Sequence, residues 1–310
     1  MRKVAKASAP GKIHLIGEHS SVYGKPAILL AINRRVVVSV EREGSLKNLP
    51  KGKTQGAVES IQKYLHRVHK IPVEKVGIII GSDIPVGKGL GSSAALSAAL
   101  SAAFHKLYKI PFTLGSVFEA AYESERFFHG NPSGGDLAAS VYGGVLWFRK
   151  ETESLKLSQR IELSAKICPE FIVIDSGKPI ESTKEMVSLV SKMKKKKVSA
   201  FCEEQEIVAK NLSTALIQGN KEVISRCISE AQTNLDKIGV VGSVAKNIIL
   251  ELKNSGVFAK ISGGGGIKKG SGIIVAGISN KRKVEALCER KKWDYFYVKI
   301  ENEGVRLEVI

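Results

Sequence analysis

The stretch that most restricts how this chain can fold is Pro85-Val86-Gly87-Lys88-Gly89-Leu90-Gly91-Ser92-Ser93-Ala94-Ala95-Leu96, where glycines run directly into an alanine-rich segment. Gly87, Gly89 and Gly91 let the backbone approach another group closely and turn successive N–H groups toward one point. A helix expected from Ser92 to about Tyr108 brings the positive end of its dipole to the same place, so the junction suits an anion. Ser92 and Ser93 at its mouth can cap the helix, bind a phosphate oxygen or reach a phosphate-bound Mg2+. Ala94, Ala95, Ala98, Ala99, Ala102 and Ala103, with Leu96, Leu100, Phe104 and Leu107, make the helix apolar nearly all round, which calls for burial. A plain glycine turn before a core helix would account for the same residues. The common nucleotide fingerprints do not fit. Five residues separate Gly81 from Gly87-Lys88 where a P-loop has four, and Gly87 to Gly91 is one residue short of the dinucleotide spacing.

Upstream, β-branched residues predict strands at 4–8 and 34–41. Between them, Lys12, Glu18 and His19 stand among Gly11, Gly17 and Gly24 in a stretch that favours neither helix nor strand, which reads as a site or as a polar loop between edge strands. A polar loop at 44–53, a helix at 55–69 whose His66 and His69 face solvent, and a buried strand at 76–80 lead to the glycine loop. Thr113 is placed to cap a helix reaching about Phe128. Glu125 lies near the C-terminus of that helix, where a carboxylate opposes the dipole at a cost of roughly 0.3–1 kcal/mol unless a cation such as a metal ion compensates it. After the turn Asn131-Pro132-Ser133-Gly134-Gly135, Asp136 opens another small-residue segment, a position where a helix N-cap is the default reading.

A strand at 143–148 is followed by a polar boundary at 149–164. Beyond it come strands at 171–175, 258–262, 272–276, 294–300 and 304–309, helices at 182–194, 199–218, 221–236, 243–254 and 280–291, and a second glycine tract, Gly263–Gly266. Such alternation implies layers of helix and sheet in each half with a ligand held between them. Cys168, Cys202, Cys227 and Cys288 follow no zinc or CxxC spacing and read as reduced core fillers. Neither a signal peptide nor an apolar run of membrane length is evident, so a cytoplasmic protein with no membrane contact is expected. The net charge of +18 favours anionic partners. Its lysine runs, however, gather near predicted helix ends, where cations beside C-termini are well solvated. A basic nucleic-acid-binding chain would explain the charge without explaining Lys12, Glu125 and Asp136, and no nucleic acid is expected as a partner.

Three of these stretches carry a family resemblance. Gly89–Leu96 resembles the second motif of the GHMP kinases, and Ala9–Ala27 resembles their first motif, in a Gly-Glu-His-x-x-Val-Tyr-Gly form closer to mevalonate kinases than to galactokinases. The run from Glu125 through His129-Gly130-Asn131-Pro132-Ser133 to Asp136 is similar to a mevalonate kinase signature. The resemblance implies a two-domain α+β GHMP kinase fold, with an N-terminal domain (1–155) holding a left-handed βαβ element and a ferredoxin-like C-terminal domain (156–310). It implies ATP bound around Pro85, Gly87, Lys88, Gly89, Leu90, Gly91, Ser92, Ser93 and Ala94, and Mg2+ on Glu125 and Ser93 or Ser92. Asp136 would be the catalytic base, supported by Lys12, and Glu18, His19 and Thr183 would meet the acceptor, mevalonate. The tract Gly263, Gly264 and Gly265 would lie by the phosphates. Lys268 and Lys269 interrupt it, facing either solvent or a phosphate. Pro179-Ile180-Glu181-Ser182-Thr183 lacks the arginine usual in mevalonate kinases, and Leu137 replaces a small or amide residue, so phosphomevalonate kinase and mevalonate 3-kinase remain alternative activities. A homodimer stays open.

Overall fold

The computed structural model describes residues 3–42, 51–168, 170–276 and 281–309, so most of the polar loop expected at 44–53 lies outside the described residues. The chain opens with two long strands, β1 (Lys3–Ile16) and β2 (Ala27–Arg42), joined through a 3-10 turn at Ser20–Tyr23. They pair antiparallel along nearly their whole length, with register shifts between Pro10 and Gly11 and between His14 and Ile16. The segment from Ala9 to Ile16 is therefore strand rather than loop. Proline lacks an N–H and glycine lacks a side chain, so Pro10-Gly11 hides the pattern, and a bulge absorbs both.

The remaining elements are α1 (Gly52–His69), β3 (Val76–Ser82), α2 (Ser92–Leu107), α3 (Leu114–His129), α4 (Gly135–Tyr142), β4 (Val145–Lys150), β5 (Lys156–Arg160), β6 (Glu170–Asp175), α5 (Thr183–Ser191), α6 (Lys195–Gln218), α7 (Lys221–Lys237), α8 (Ser243–Asn254), β7 (Ala259–Ser262), β8 (Ile273–Ala276), α9 (Lys281–Lys291), β9 (Tyr295–Lys299) and β10 (Arg306–Glu308). The first sheet runs β10-β1-β2-β4-β5, with β3 also on β2. Its strand β2 is long enough to hold β4 with Ala27–Leu30 and β3 with Val36–Arg42. Strand β5, just past the 155/156 division drawn from the sequence, pairs with β4, and β10 returns from the C-terminus to β1. The second sheet runs β7-β8-β6-β9, antiparallel throughout, and its strands enter in the split order of a ferredoxin-like unit.

Helix α2 is buried along most of its length, as its alanines require, and packs on β1, β2, α3 and α4. Alternation along β6 sends Phe171 and Val173 into the larger core and Ile172 and Ile174 into a smaller one with Met186, Ile248 and Cys288, so that strand is covered on both faces. Cys202, Cys227 and Cys288 are buried thiols as expected, but Cys168 is exposed and fills no core. The lysine run 194–197 opens α6 rather than lying beside a helix C-terminus, so the dipole opposes its charge and solvation alone accommodates it.

Candidate active site

Four segments converge where the two sheets meet. Strand β1 contributes Lys12 and His14, which share one face because they are two residues apart on a strand. The glycine loop is tied to that strand by the Lys12 N–H, which donates to the Leu90 carbonyl at 2.9 Å. Gly91, at φ 72°, is required twice over: the conformation disfavours other residues, and a Cβ there would come within 2.7 Å of the Lys12 side chain. Gly89, at φ 91°, lets the loop pass against the second half of the chain, since a Cβ there would lie 2.5 Å from the Ser262 carbonyl oxygen. Leu90 and Ala94 are buried packing residues that anchor the loop. Gly91 is the N-cap of α2 and supplies no side-chain oxygen, so Ser92 and Ser93 lie inside the first turn rather than capping it, and the N-terminus is open to an anion.

Asp136 is not an N-cap. Gly134 holds that position with φ 92°, and Asp136 sits in the first turn of α4, where the helix dipole favours its charge. Lys12 Nζ lies 3.1 Å from its Oδ2 and His14 Nε2 lies 2.7 Å from its Oδ1. Burial pushes the Asp136 pKa upward, but the Lys12 ammonium and the His14 hydrogen bond outweigh it and hold the carboxyl well below the usual range. The side chain nonetheless keeps 40% of its surface exposed, while that of Lys12 keeps 2%, so the carboxylate is the accessible member of the pair.

Glu125 has the opposite environment. It is buried on α3, accepts from the Ser97 hydroxyl at 3.2 Å and lies 3.7 Å from His129 Nε2, which is itself 3.1 Å from the Ser93 hydroxyl. Burial first, and then the charge of Asp136, push its pKa up to about 8. Two carboxyl groups in one site are thus driven apart in acidity, a pattern common at reaction centres. Glu125 resists ionisation because it is buried and no cation beside it, among the described residues, compensates its charge; a bound Mg2+ would supply that compensation, and the hard oxygens of Glu125 and the Ser93 hydroxyl suit such an ion.

The acceptor-side residues are less direct than the sequence suggested. Glu18 is fully buried in an ion pair with Lys260, whose ammonium also donates to the carbonyls of His14 and Ile261. Its other oxygen, Oε2, has no hydrogen-bond partner among the described residues, and neither do His14 Nδ1 and His19 Nδ1. His19 has a left-handed backbone, φ 61°, uncommon for a side-chain-bearing residue, and its Nε2 lies 3.1 Å from the Gly264 carbonyl. Thr183 is exposed at the start of α5 and stands beside Gly264. Gly263 backs onto Gly89, while Gly265 is buried. Lys88 is paired with Asp175 at the end of β6, a partner the sequence did not indicate. Lys268 and Lys269 are exposed, and their loop is held by Glu181, which accepts the Ile267 and Lys268 N–H groups at 3.3 and 3.2 Å. Sequence reasoning missed His14, Ser97, Lys260 and Ser262; only His14 had a local signal, its two-residue offset from Lys12.

Residues 52–144 match the GHMP kinases N terminal domain, and residues 3–42 match the galactokinase galactose-binding signature. The mevalonate kinase of Archaeoglobus fulgidus is 30% identical over 97% of this chain and 99% of its own length. The chain belongs to the GHMP kinase family. Among solved structures, L. major mevalonate kinase in complex with R-mevalonate superposes with a TM-score of 0.76 at 21% identity, covering 98% of this chain and 97% of that one. Phosphomevalonate kinase of Streptococcus pneumoniae superposes with 0.77 at 16% identity, covering 97% of this chain and 99% of that one. The fold of this GHMP kinase is therefore common to enzymes with different acceptors, and the acceptor must be argued from site residues. Among the described residues no helix is long and apolar enough to cross a membrane.

Proposed function

We propose that this GHMP kinase transfers the γ-phosphoryl group of ATP to the primary hydroxyl of mevalonate. The observation that carries this reading is the Asp136 carboxylate, held ionised between Lys12 and His14 yet still exposed over part of its surface. Phosphoryl transfer needs an anion cradle, a divalent cation and a group that orients and deprotonates the attacking hydroxyl. The open N-terminus of α2 with Gly87–Gly91 serves as the cradle. Glu125 and Ser93 would hold Mg2+, which when bound offsets the charge of the phosphates. Asp136 takes the proton as the O–H bond breaks; the hydroxyl oxygen bonds to phosphorus, and ADP leaves. Each Asp136 oxygen has a second lone pair, so its contacts with Lys12 and His14 leave capacity for that proton. Lys12 keeps Asp136 ionised beforehand and offsets charge on the transferring group.

On the acceptor side, Glu18 Oε2 and His19 Nδ1 are buried polar atoms with no hydrogen-bond partner among the described residues, which the hydroxyl groups of an acceptor would satisfy. In this reading residues 1–155 supply the cradle and base, and 156–310 close the cleft through Lys260, Ser262 and the Gly263–Gly265 tract. The relatives named mevalonate kinase favour mevalonate over the sister acceptors. An acceptor screen with ATP and Mg2+, with the product's phosphate position read by NMR, tests the assignment. Mevalonate is expected to give the highest kcat/KM and a 5-phosphate. A higher value on phosphomevalonate, galactose or homoserine, or a 3-phosphate product, contradicts it.

A further inference from the structure

His14 links the second sheet to the candidate base. Its Nε2 meets Asp136 Oδ1 at 2.7 Å, while its main chain is held on both sides by residues of β7. The His14 N–H donates to the Ser262 hydroxyl at 2.8 Å, and the His14 carbonyl accepts from Lys260 at 3.3 Å. The imidazole is nine-tenths buried, with 9% of the side chain exposed. Because Asp136 is an anion beside Lys12, the hydrogen in the short contact belongs to His14 Nε2.

An ammonium on a four-carbon stem is a rotatable point charge, so Lys12 alone would attract the carboxylate without fixing its plane. A planar ring bonded to the other oxygen removes that freedom. We propose that His14 is the positioning residue of Asp136: with Lys12 it fixes the orientation of the carboxylate, and through its clamped backbone it ties that orientation to β7. The inference rests on Asp136 being the base.

His14→Phe keeps a flat ring but removes the donor, and His14→Gln keeps an amide donor. Losing one hydrogen bond to a charged group corresponds to roughly a 10- to 100-fold effect. The Phe variant is therefore expected to lose that much kcat while its ATP Kd and acceptor KM stay within about twofold, and Gln should recover a large part. Asp136→Asn is measured in parallel. Wild-type kcat in His14→Phe, with Asp136→Asn inactive, overturns the role of His14 alone; normal turnover in Asp136→Asn overturns the base reading and the inference with it. If the Phe variant does not fold, ring 15N spectra of wild-type and Asp136→Asn proteins decide instead. A hydrogen on His14 Nε2 whose signal responds to Asp136→Asn is expected, and an Nε2 that carries no hydrogen, or no response, overturns the proposal.

Discussion

Lys260→Met isolates the energetic role of the pair buried beneath the acceptor side. The Lys260 and Glu18 side chains are 0% and 1% exposed, and Lys260 also donates to two backbone carbonyls. Burial lowers the Lys260 pKa, and the Glu18 charge opposes that shift. Removing one member of such a pair leaves an uncompensated buried charge, at a cost of about 3–5 kcal/mol. At roughly 2 °C per kcal/mol for a chain of this size, Tm should fall by about 6–10 °C. The double variant Glu18→Gln/Lys260→Met removes the stranded charge and should recover at least half of the loss, giving a coupling energy of about 1.5 kcal/mol or more. Urea and thermal unfolding of the wild type, both single variants and the double variant, followed by circular dichroism, measure all of these quantities. A loss below about 1 kcal/mol for Lys260→Met, or a double variant as unstable as the sum of the singles, would refute the reasoning that the pair is buried and mutually dependent.

Two further perturbations test the cation site and the lysine insertion. The Glu125 pKa is raised to about 8, so its neutral form is the one the fold favours; without metal, stability should be retained below the ordinary carboxyl range and be lost as pH rises through about 8. Glu125→Gln should therefore raise Tm above pH 8 in EDTA while increasing the Mg2+ concentration needed for half-maximal activity, and a variant that melts earlier with an unchanged Mg2+ requirement would make Glu125 structural. Replacing Lys268 and Lys269 with Ala should raise KM for ATP and flatten its salt dependence, because exposed charges are screened over about 8–10 Å at physiological ionic strength; unchanged values leave both lysines as solvated loop residues.

What could be read from the sequence was local. The glycine loop, the apolar helix after it, the Thr113 cap and the positions of most strands in the second half all depend on residues close in sequence, and the structure has them there. Lys12, Glu125 and Asp136 were identified by motif, and they do meet at one site. Asp136 by itself looked like an N-cap because the actual cap, Gly134, acts through its left-handed backbone and carries no side-chain signal. His14 was missed because Pro10-Gly11 disguised a strand as a loop, and only on a strand does its spacing from Lys12 place both on one face. Strand β5 escaped notice because most of its residues are exposed, leaving no apolar alternation to read. The Glu18–Lys260 pair joins residues 242 positions apart, and the Lys88–Asp175 pair 87 apart; nothing local announces either partner.

The central claim is that Asp136 accepts the proton of the attacking hydroxyl, and single-turnover phosphoryl transfer by Asp136→Asn tests it most directly. The substitution preserves size and removes the proton-accepting charge, so the rate on mevalonate should fall by roughly 10²–10⁴-fold with the ATP Kd unchanged. A rate within a few-fold of wild type at unchanged ATP affinity would contradict the claim and leave Asp136 as a first-turn helix residue paired with Lys12 and His14.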